Sequence, residues 1–309
     1  MWKGIKLIPD DVNIDFIGKR YIAFALTLIV VIASFGIIFK NGFNYGIDFT
    51  GGTLIEIETK KEPDLAALRE DLNNLGLGEI SIQEFGNVNT LLLRVPAQGE
   101  DPEVQKAAID KVRAEIDGTY ADSDYRRVEF VGPQVGEELK LKGFFAVLFS
   151  MLGIMAYVWF RYEWQFGLSA LISIAHDVIA VLGLMALLGV AFDLTTLAAV
   201  LMVAGFSIND TVVIFDRIRE IMRKHRKMPL AEVCNIAINQ TLSRTIMTSL
   251  LTLLALLALW IFGGEVIRNF IDVLLVGYII GTYSSVYVAA SLLLYMNLRP
   301  EDAIGEKAA

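Results

Sequence analysis

The sequence of 309 residues contains one cysteine, and this scarcity excludes a disulfide-stapled scaffold. Cys234 has no second cysteine with which to form an intramolecular bond. Its polar and basic neighbours predict a reduced thiol in a cytoplasmic loop. The chain also lacks a basic stripe interleaved with aromatic residues, which argues against nucleic acid as a partner.

Polarity is scarce as well, since 55% of the residues are hydrophobic and the mean hydropathy is +0.53. This composition excludes an ordinary soluble domain and reflects apolar runs that are long enough to cross a bilayer. A crossing helix needs about 20 mostly apolar residues. Six runs meet that requirement: 21–39, 143–160, 166–192, 194–215, 245–262 and 273–296.

No small-residue cleavage site follows the first run, so we interpret it as a permanent anchor and not as a signal peptide. Basic residues in short loops mark the cytoplasmic side. Such residues occur before the first run, between the second and third, and after the fourth. Six spans place these segments on one side, so both termini are predicted to be cytoplasmic.

The predicted organisation follows from these runs. A cytoplasmic lead (1–20) precedes span one (21–40), and a periplasmic region (41–142) follows it. Spans two to six (143–297) include a basic cytoplasmic loop (216–243), and a cytoplasmic tail (298–309) ends the chain. The region 41–142 holds 20 acidic and 11 basic residues, a net charge of −9, which suits the side opposite the basic loops.

The region 41–142 reads as a small α+β module. Alternating strands are predicted at 53–58, 79–85, 90–95 and 125–131. Helices are predicted from Pro63 to about Gly76 and from 103 to 116, ending at Gly118. The order βαββαβ is typical of a ferredoxin-like module. The module shows no metal cluster, nucleophile–base pair or phosphate loop, so we expect binding or scaffolding without a cofactor or metal.

Ionisable residues inside the predicted spans are few and costly, which makes each a functional candidate. Span three contains His176 and Asp177, span four contains Asn209 and Asp210, and span five begins at Arg244. At about 1.5 Å per residue, both carboxylates are expected at similar depths on antiparallel neighbours. A proton relay and a static ion pair that fixes helix register are both compatible with this pattern. His176 fits either a relay member or a hydrogen-bonded packing residue.

Several motifs resemble the SecD/SecF family of the RND superfamily, over essentially the whole chain. They are NYGIDFTGGT (44–53), VGPQVGEELK (131–140), AHD (175–177), GFSINDTVVIFDRIRE (205–220) and SRTIMTSL (243–250). The phenylalanine in GIDF and the chain length favour the SecF branch. The resemblance is specific because the first and fourth motifs occur together in this order.

The resemblance implies a multi-pass subunit of the bacterial inner membrane that is not an enzyme. Such a subunit works with SecD and uses the proton-motive force to promote late stages of preprotein export through SecYEG, after SecA-driven transport. Unfolded preprotein, membrane lipid, SecA, YajC and YidC are further partners to consider. Asp210 and Arg244 correspond to the proton-coupling aspartate and arginine of the family. Asp177, His176 and Asn209 complete the predicted relay.

The motif after the first span, with Gly46, Asp48, Gly51 and Gly52, is predicted to couple span movement to the periplasmic module. The glycines permit positive φ where the chain leaves the membrane, although a simple exit turn also accounts for them.

A small-molecule exporter of the same superfamily is a rival, but about a hundred periplasmic residues are too few for a drug-sized tunnel. A non-transporting brace for the channel is a second rival. The residues leave open whether protons or sodium ions are used.

Overall fold

The protein was analysed as a computed structural model that describes residues 12–99, 101–296 and 298. The predicted tail, apart from Leu298, and residues 1–11 of the predicted lead lie outside the described residues. The helices are α1 (Arg20–Asn41), α2 (Ile47–Thr50), α3 (Leu65–Asn73), α4 (Pro102–Thr119), α5 (Pro133–Arg161), α6 (Trp164–Leu188), α7 (Leu194–Lys224), α8 (Leu230–Phe262) and α9 (Arg268–Ser284). The strands are β1 (Asn44–Tyr45), β2 (Gly52–Glu58), β3 (Ser81–Phe85), β4 (Asn87–Val95), β5 (Asp124–Val131) and β6 (Ala191–Phe192).

Within the described residues, six helices are long and apolar enough to cross a membrane. They are α1, α5, α6, α7, α8 and the helix Arg268–Tyr295, which begins as α9 and continues through a π-helical turn at Ser285–Ala289. The six predicted spans are therefore confirmed in number and order. Five of the six helices are longer than predicted, because polar helical turns extend the apolar runs at their ends. Helix α6 instead ends at Leu188, four residues before the predicted end of its run.

The predicted loop 216–243 is mostly helical. Helix α7 continues to Lys224 and α8 begins at Leu230, so only residues 225–229 separate them. The placement of Cys234 in a loop is therefore wrong: its thiol is buried in the first turns of α8. Apolar neighbours such as Phe215 and Ile238 pack in the same core cluster, which explains how a helix persists within this charged segment.

Three of the long helices form the interior and three surround it. The apolar stretches of α6, α7 and Arg268–Tyr295 are 56%, 50% and 61% buried, whereas those of α1 and α5 are 11% buried. Helix α7 packs against α9 and α8, while α6 packs against α1, α5 and α9. The polar residues that the sequence places on α6 and α7 are consequently on interior helices.

Small residues allow the interior helices to approach closely. A Cβ atom on Gly277 of α9 would collide with the side chain of Val203 on α7. A Cβ atom on Gly281, one turn later, would lie 3.1 Å from Ser207 Cβ. These two glycines set the separation of α7 and α9 next to the polar residues described below.

The segment between α1 and α5 forms an antiparallel sheet in the order β3-β4-β2-β5. Its elements follow the predicted order along the chain, as β2-α3-β3-β4-α4-β5. One face of the sheet packs with α3 and α4 around a core that includes Ile55, Leu72, Leu93 and Val112. The Asp64 and Asp101 side chains cap the two helices, so Pro63 precedes the cap and does not open α3 as predicted. Gly118 lies inside α4 rather than ending it.

The packing of α7 on α9 makes a direct prediction for Gly277→Ala. The added methyl group must displace Val203, whose β-branched side chain has little rotamer freedom in a helix. We expect a loss of about 1–3 kcal/mol of stability, the usual cost of overpacking. The matched control is Gly153→Ala on α5, where a Cβ atom meets nothing within 4 Å. Thermal unfolding of the purified protein in detergent should show a lower midpoint for Gly277→Ala only; equal midpoints would contradict the predicted contact.

Candidate functional site

Asp177 lies on α6 and is completely buried, with 0% of its surface exposed. Its Oδ2 atom accepts hydrogen bonds from Ser207 Oγ of α7 at 2.5 Å and from Ser284 Oγ of α9 at 2.8 Å. Its Oδ1 atom is 2.9 Å from His176 Nδ1. Burial of a carboxylate is tolerated when such donors replace water. The contacts therefore tie all three interior helices to one side chain.

His176 is also buried, at 4% exposure, and uses only one of its ring nitrogens in these contacts. With the Asp177 carboxylate ionised, Nδ1–H donates to it, while Nε2 has no hydrogen-bond partner among the described residues. The ring centroid of Tyr283 is 6.3 Å away on α9. A buried imidazole nitrogen without a partner is a place where a proton or a water molecule can bind.

A cluster of hydroxyl groups extends from this pair along α9. Thr211 Oγ1 donates to Ser285 Oγ at 2.9 Å, and Ser285 Oγ in turn contacts the Gly281 carbonyl oxygen at 2.8 Å. The π-helical turn starts at Ser285, and Ser169 Oγ of α6 donates to the Ala289 carbonyl oxygen in it at 2.6 Å. Single π turns within α-helices often occur at functional sites. Here the turn lies where polar side chains of α6 and α7 meet α9.

Asp210 lies on α7, one turn beyond Ser207, and is 6% exposed. Asn209 and Ser249 lie beside its carboxylate, and the Arg244 guanidinium on α8 acts on it electrostatically. Within the described residues, the two charged groups are not joined by an ion pair at 4.0 Å or less. Ser249 Oγ is 3.1 Å from Thr282 Oγ1, which connects this neighbourhood to α9.

The five predicted relay residues thus divide into two groups. Asp177 and His176 form one group between α6, α7 and α9, and Asp210, Asn209 and Arg244 form the other between α7 and α8. Asn209 and Arg244 are exposed at the surface of this chain, whereas both aspartates are buried. Helix α7 belongs to both groups, because Ser207 contacts Asp177 and the same helix carries Asp210.

Three hydroxyl residues of the sixth span were not identified from the sequence: Thr282 and Ser284 of α9, and Ser285 of the π-helical turn. The available signal was the run TYSS (282–285), which interrupts an otherwise apolar span. Of the hydroxyls on α7 and α8, Ser207 lies beside Asp177 and Ser249 lies beside Asp210. Ser243 instead points outward and is exposed.

The motif after α1 packs against the start of α7. Asp48 Oδ2 accepts a hydrogen bond from the Leu194 backbone nitrogen at 2.9 Å, so this carboxylate satisfies an otherwise free amide at the helix N-terminus. Asp193 caps the same end together with Thr196. Strands β1 and β6 pair in parallel directly beside these contacts. The motif is therefore attached to the helix that carries Asp210.

The glycines of this motif occupy positions with different structural constraints. Gly51 and Gly52 have φ angles of 71° and 118°, which other residues rarely adopt. A Cβ atom on Gly51 would lie 2.8 Å from Pro133 Cα at the start of α5. Gly46 has φ of −70°, so the prediction of positive φ is wrong there. Its constraint is proximity, because a Cβ atom would lie 2.9 Å from Asp193 Cβ.

The contact region between the motif after α1, the start of α5 and the start of α7 is called the joint below. Polar groups outside the spans add further contacts to it. Arg94 Nη1 of β4 donates to Asn44 Oδ1 at 2.8 Å. Burial lowers the pKa of the Arg94 guanidinium below its ordinary value, and the nearby Asp193 carboxylate opposes that shift. Polar contacts at β1, β4 and the start of α7 thus connect the sheet to the adjacent end of the helix bundle.

Residues 111–299 match the family described as protein export membrane protein SecD/SecF, C-terminal, and residues 36–63 match the SecD/SecF GG motif. Protein translocase subunit SecF of Pseudomonas aeruginosa is 46% identical over 96% of this chain and 95% of its own length. The SecF subunit of Rickettsia bellii (strain OSU 85-389) is 44% identical over 94% and 95% of the two chains.

Two solved structures are also similar. SecDF of Thermus thermophilus, a translocon-associated membrane protein, is 38% identical and superposes with a TM-score of 0.84 over 94% of this chain. SecDF in a super-membrane-facing form is 37% identical, with a TM-score of 0.69 over the whole chain. This chain spans only 39% and 41% of those longer chains.

The fold and its buried polar groups define a multi-pass membrane protein with one extramembrane α/β module. The chain belongs to the SecD/SecF family of protein-export membrane proteins, on its SecF branch. Its class is accordingly that of a membrane component of Sec-dependent protein export.

The contacts of Asp177 make a prediction for Ser284→Ala. The substitution removes one of the donors to a fully buried carboxylate, and a hydrogen bond to a charged group is worth about 1.5–3 kcal/mol. We expect the unfolding midpoint in detergent to fall accordingly. Ser243→Ala on the exposed side of α8 is the control and should leave the midpoint unchanged. An unchanged midpoint for Ser284→Ala would show that this hydroxyl does not stabilise Asp177.

Proposed function

We propose that this chain is a proton-coupled subunit of the bacterial Sec machinery that acts with SecD. In this proposal it uses the proton-motive force to promote late stages of preprotein translocation through SecYEG, after SecA-driven transport. The observation that carries the proposal is the course of α7. One rigid helix is attached to the GG motif at Leu194, contacts Asp177 through Ser207 and carries Asp210.

The proposed topology places both termini in the cytoplasm and residues 41–142 in the periplasm. The charge distribution supports this orientation, because the basic end of α7 lies on the same side as the segment that precedes α1. The strand order β3-β4-β2-β5 with two helices on one face supports a ferredoxin-like periplasmic domain. Leu194 and Asp210 are 16 positions apart, about 24 Å along the helix, so in this topology α7 runs from the periplasmic end across most of a hydrocarbon core of about 30 Å before it reaches Asp210.

In the proposed mechanism, Asp210 binds a proton that enters from the periplasm and later releases it to the cytoplasm. Arg244 stabilises the ionised carboxylate and is released when Asp210 becomes neutral. Asn209 lies beside the Asp210 side chain and can contact its ionised and its neutral form. Asp177 and His176 supply a second buried polar group, in which His176 Nε2 has no hydrogen-bond partner among the described residues. The membrane potential provides about 2.3 kcal/mol per charge per 100 mV, so a few protons suffice to shift packed helices.

Movement of α7 would reach the periplasmic module through the contacts of Asp48, Gly51 and Gly52. These residues connect α7, the start of α5 and the end of β4. One of the two SecDF structures is described as a super-membrane-facing form, a name that distinguishes it from other conformations of SecDF. Such a distinction supports a transporter that changes conformation over a static brace for the channel.

The partner assignments belong to the same proposal. Asn209 and Arg244 are polar, lie within membrane-spanning helices and are exposed in the isolated chain. Polar groups at membrane depth usually face a protein interior or a partner, which supports SecD as the chain that covers them. SecYEG, unfolded preprotein, membrane lipid, SecA, YajC and YidC are further proposed contacts. The polar groups equally suit sodium, and the choice of ion is tested by the experiment below.

The first test is Asp210→Asn. Asparagine keeps the size of the side chain but cannot exchange a proton at neutral pH, so export driven by the proton gradient should fall to the level of a strain without the subunit. The control is Asp272→Asn on α9, where asparagine retains the acceptor for Trp260 Nε1. Preprotein export into inverted vesicles is measured with and without a proton or sodium gradient, after co-purification with SecD.

Normal gradient-dependent export by Asp210→Asn would overturn the relay and leave the brace as the better account. Export that responds to a sodium gradient but not to a proton gradient would keep Asp210 as the coupling group and identify sodium, not the proton, as the coupling ion.

The joint makes a second prediction, for Gly51→Ala. Gly51 and Gly76 share a φ angle of about 70°, but only Gly51 is in close contact, with Pro133. Both alanine variants are strained by about 1 kcal/mol or more, whereas only Gly51→Ala must separate the motif from α5. We expect loss of export for Gly51→Ala at normal abundance and normal export for Gly76→Ala. Equal export by the two variants would show that the motif is a simple exit turn.

A further inference from the structure

A cavity of about 680 Å³ opens between the charged ends of α5, α7 and α8. It lies at the end of the bundle opposite the GG motif. Neither Asp177 nor Asp210 lines it, although Arg244, which acts on Asp210, does. Six basic and two acidic side chains line it: Arg161, Arg217, Arg219, Arg223, Lys224, Arg244, Asp216 and Glu220. The lining therefore carries an excess of four positive charges.

The acidic side chains inside the cavity do not neutralise it. Glu220 is shared by Arg217 and Lys224, and Asp216 is 3.7 Å from Arg161. The side chains of Arg161 and Lys224 are 50% and 63% exposed, so both charges are accessible from solvent.

Arg219 is paired with Glu163 outside the lining, and Arg244 acts on Asp210, but the cavity wall itself holds six basic and only two acidic side chains. An anion that enters therefore meets a net positive field, which favours a phosphate group.

Tyr162 contacts two of the arginines that line the cavity. The Arg161 and Arg219 guanidinium groups lie 5.0 and 5.7 Å from the centroid of its ring. Arg219 is held further by Glu163 at 3.2 Å, and its Nε atom has no hydrogen-bond partner among the described residues. Two cations are thus fixed around one aromatic ring, with a buried donor still available.

The position of the cavity along the bundle indicates the source of the anion. Helix α5 ends at Arg161 immediately after Trp159 and Phe160, whose side chains are exposed in the manner of residues at a membrane interface. On α8, Leu251 and Leu254 are exposed further along the helix, towards the middle of the span. A basic cavity at this level, next to apolar helix surface, suits a phospholipid whose headgroup enters while its chains stay in the bilayer.

We propose that this cavity binds the phosphate headgroup of an anionic phospholipid. Arg161, Arg217 and Lys224 contact the phosphate, and Tyr162 holds Arg161 in place. Arg244 lines the cavity and also acts on Asp210, but lipid binding does not require that either residue transfers a proton. The proposal therefore stands or falls separately from proton coupling.

The test uses the intact complex with SecD in phosphatidylcholine nanodiscs containing phosphatidylglycerol, with retained lipids counted by native mass spectrometry. The variant Arg161→Gln/Lys224→Gln removes two exposed charges of the lining. Its control, Arg226→Gln/Lys227→Gln, removes two exposed charges from the adjacent loop, outside the lining. Glu220→Gln makes the lining more positive and supplies a change of opposite sign.

We expect the lining variant to reduce phosphatidylglycerol affinity by about fivefold per charge removed. The loop variant should retain the lipid, and Glu220→Gln should bind it more tightly. Equal retention by all three variants, or the absence of retained phosphatidylglycerol because a segment of SecD fills the cavity, would overturn the proposal. If the complex retains inorganic pyrophosphate but not phosphatidylglycerol, the cavity binds phosphate groups, and the assignment of a lipid as their source is overturned.

Discussion

The arrangement of the bundle depends on the cost of placing a carboxylate away from water. Asp177 has no exposed surface, and its oxygen atoms are satisfied by His176, Ser207 and Ser284. Because these donors come from α6, α7 and α9, the carboxylate requires the three helices to meet at one level. Small residues such as Gly277 and Gly281 permit that approach, and the π-helical turn begins directly after Ser284. The interior of the protein is organised around a polar contact rather than around apolar packing alone.

Helix α7 transmits this constraint in two directions. On one side it presents Ser207 to Asp177, and one turn later it presents Asp210 towards Ser249 and Arg244 of α8. At its first residue, the Leu194 amide is bonded to Asp48 of the GG motif. The extramembrane sheet joins the same place through Arg94 and Asn44. A rotation or shift of α7 would therefore be felt at both carboxylates and at the module, which is the arrangement that proton-coupled movement needs.

Periodicity and charge predict the six spans and the order of strands and helices in the module, because apolar burial alone fixes those features. These signals fail where tertiary contacts determine the local structure or the partners of a residue. The loop 216–243 reads as polar, yet buried residues such as Cys234 and Ile238 keep it helical. Asp210 and Asp177 are found as candidates because charges in spans are rare, but their separation into two groups depends on helix rotation. Ser284 escapes notice because a serine in an apolar helix is unremarkable until its partner is known.

The central claim is that Asp48 and Asp210 act through one helix, and a double-mutant cycle on gradient-driven export tests it most directly. Export rates are compared for Asp48→Ala, Asp210→Asn, the double variant and the parent, in vesicles with equal amounts of the SecD complex. If α7 couples the two residues, the double variant exports about as well as the worse single variant, so the effects are not additive. If the free-energy effects add, the residues act independently, and the account of α7 as the coupling element is contradicted.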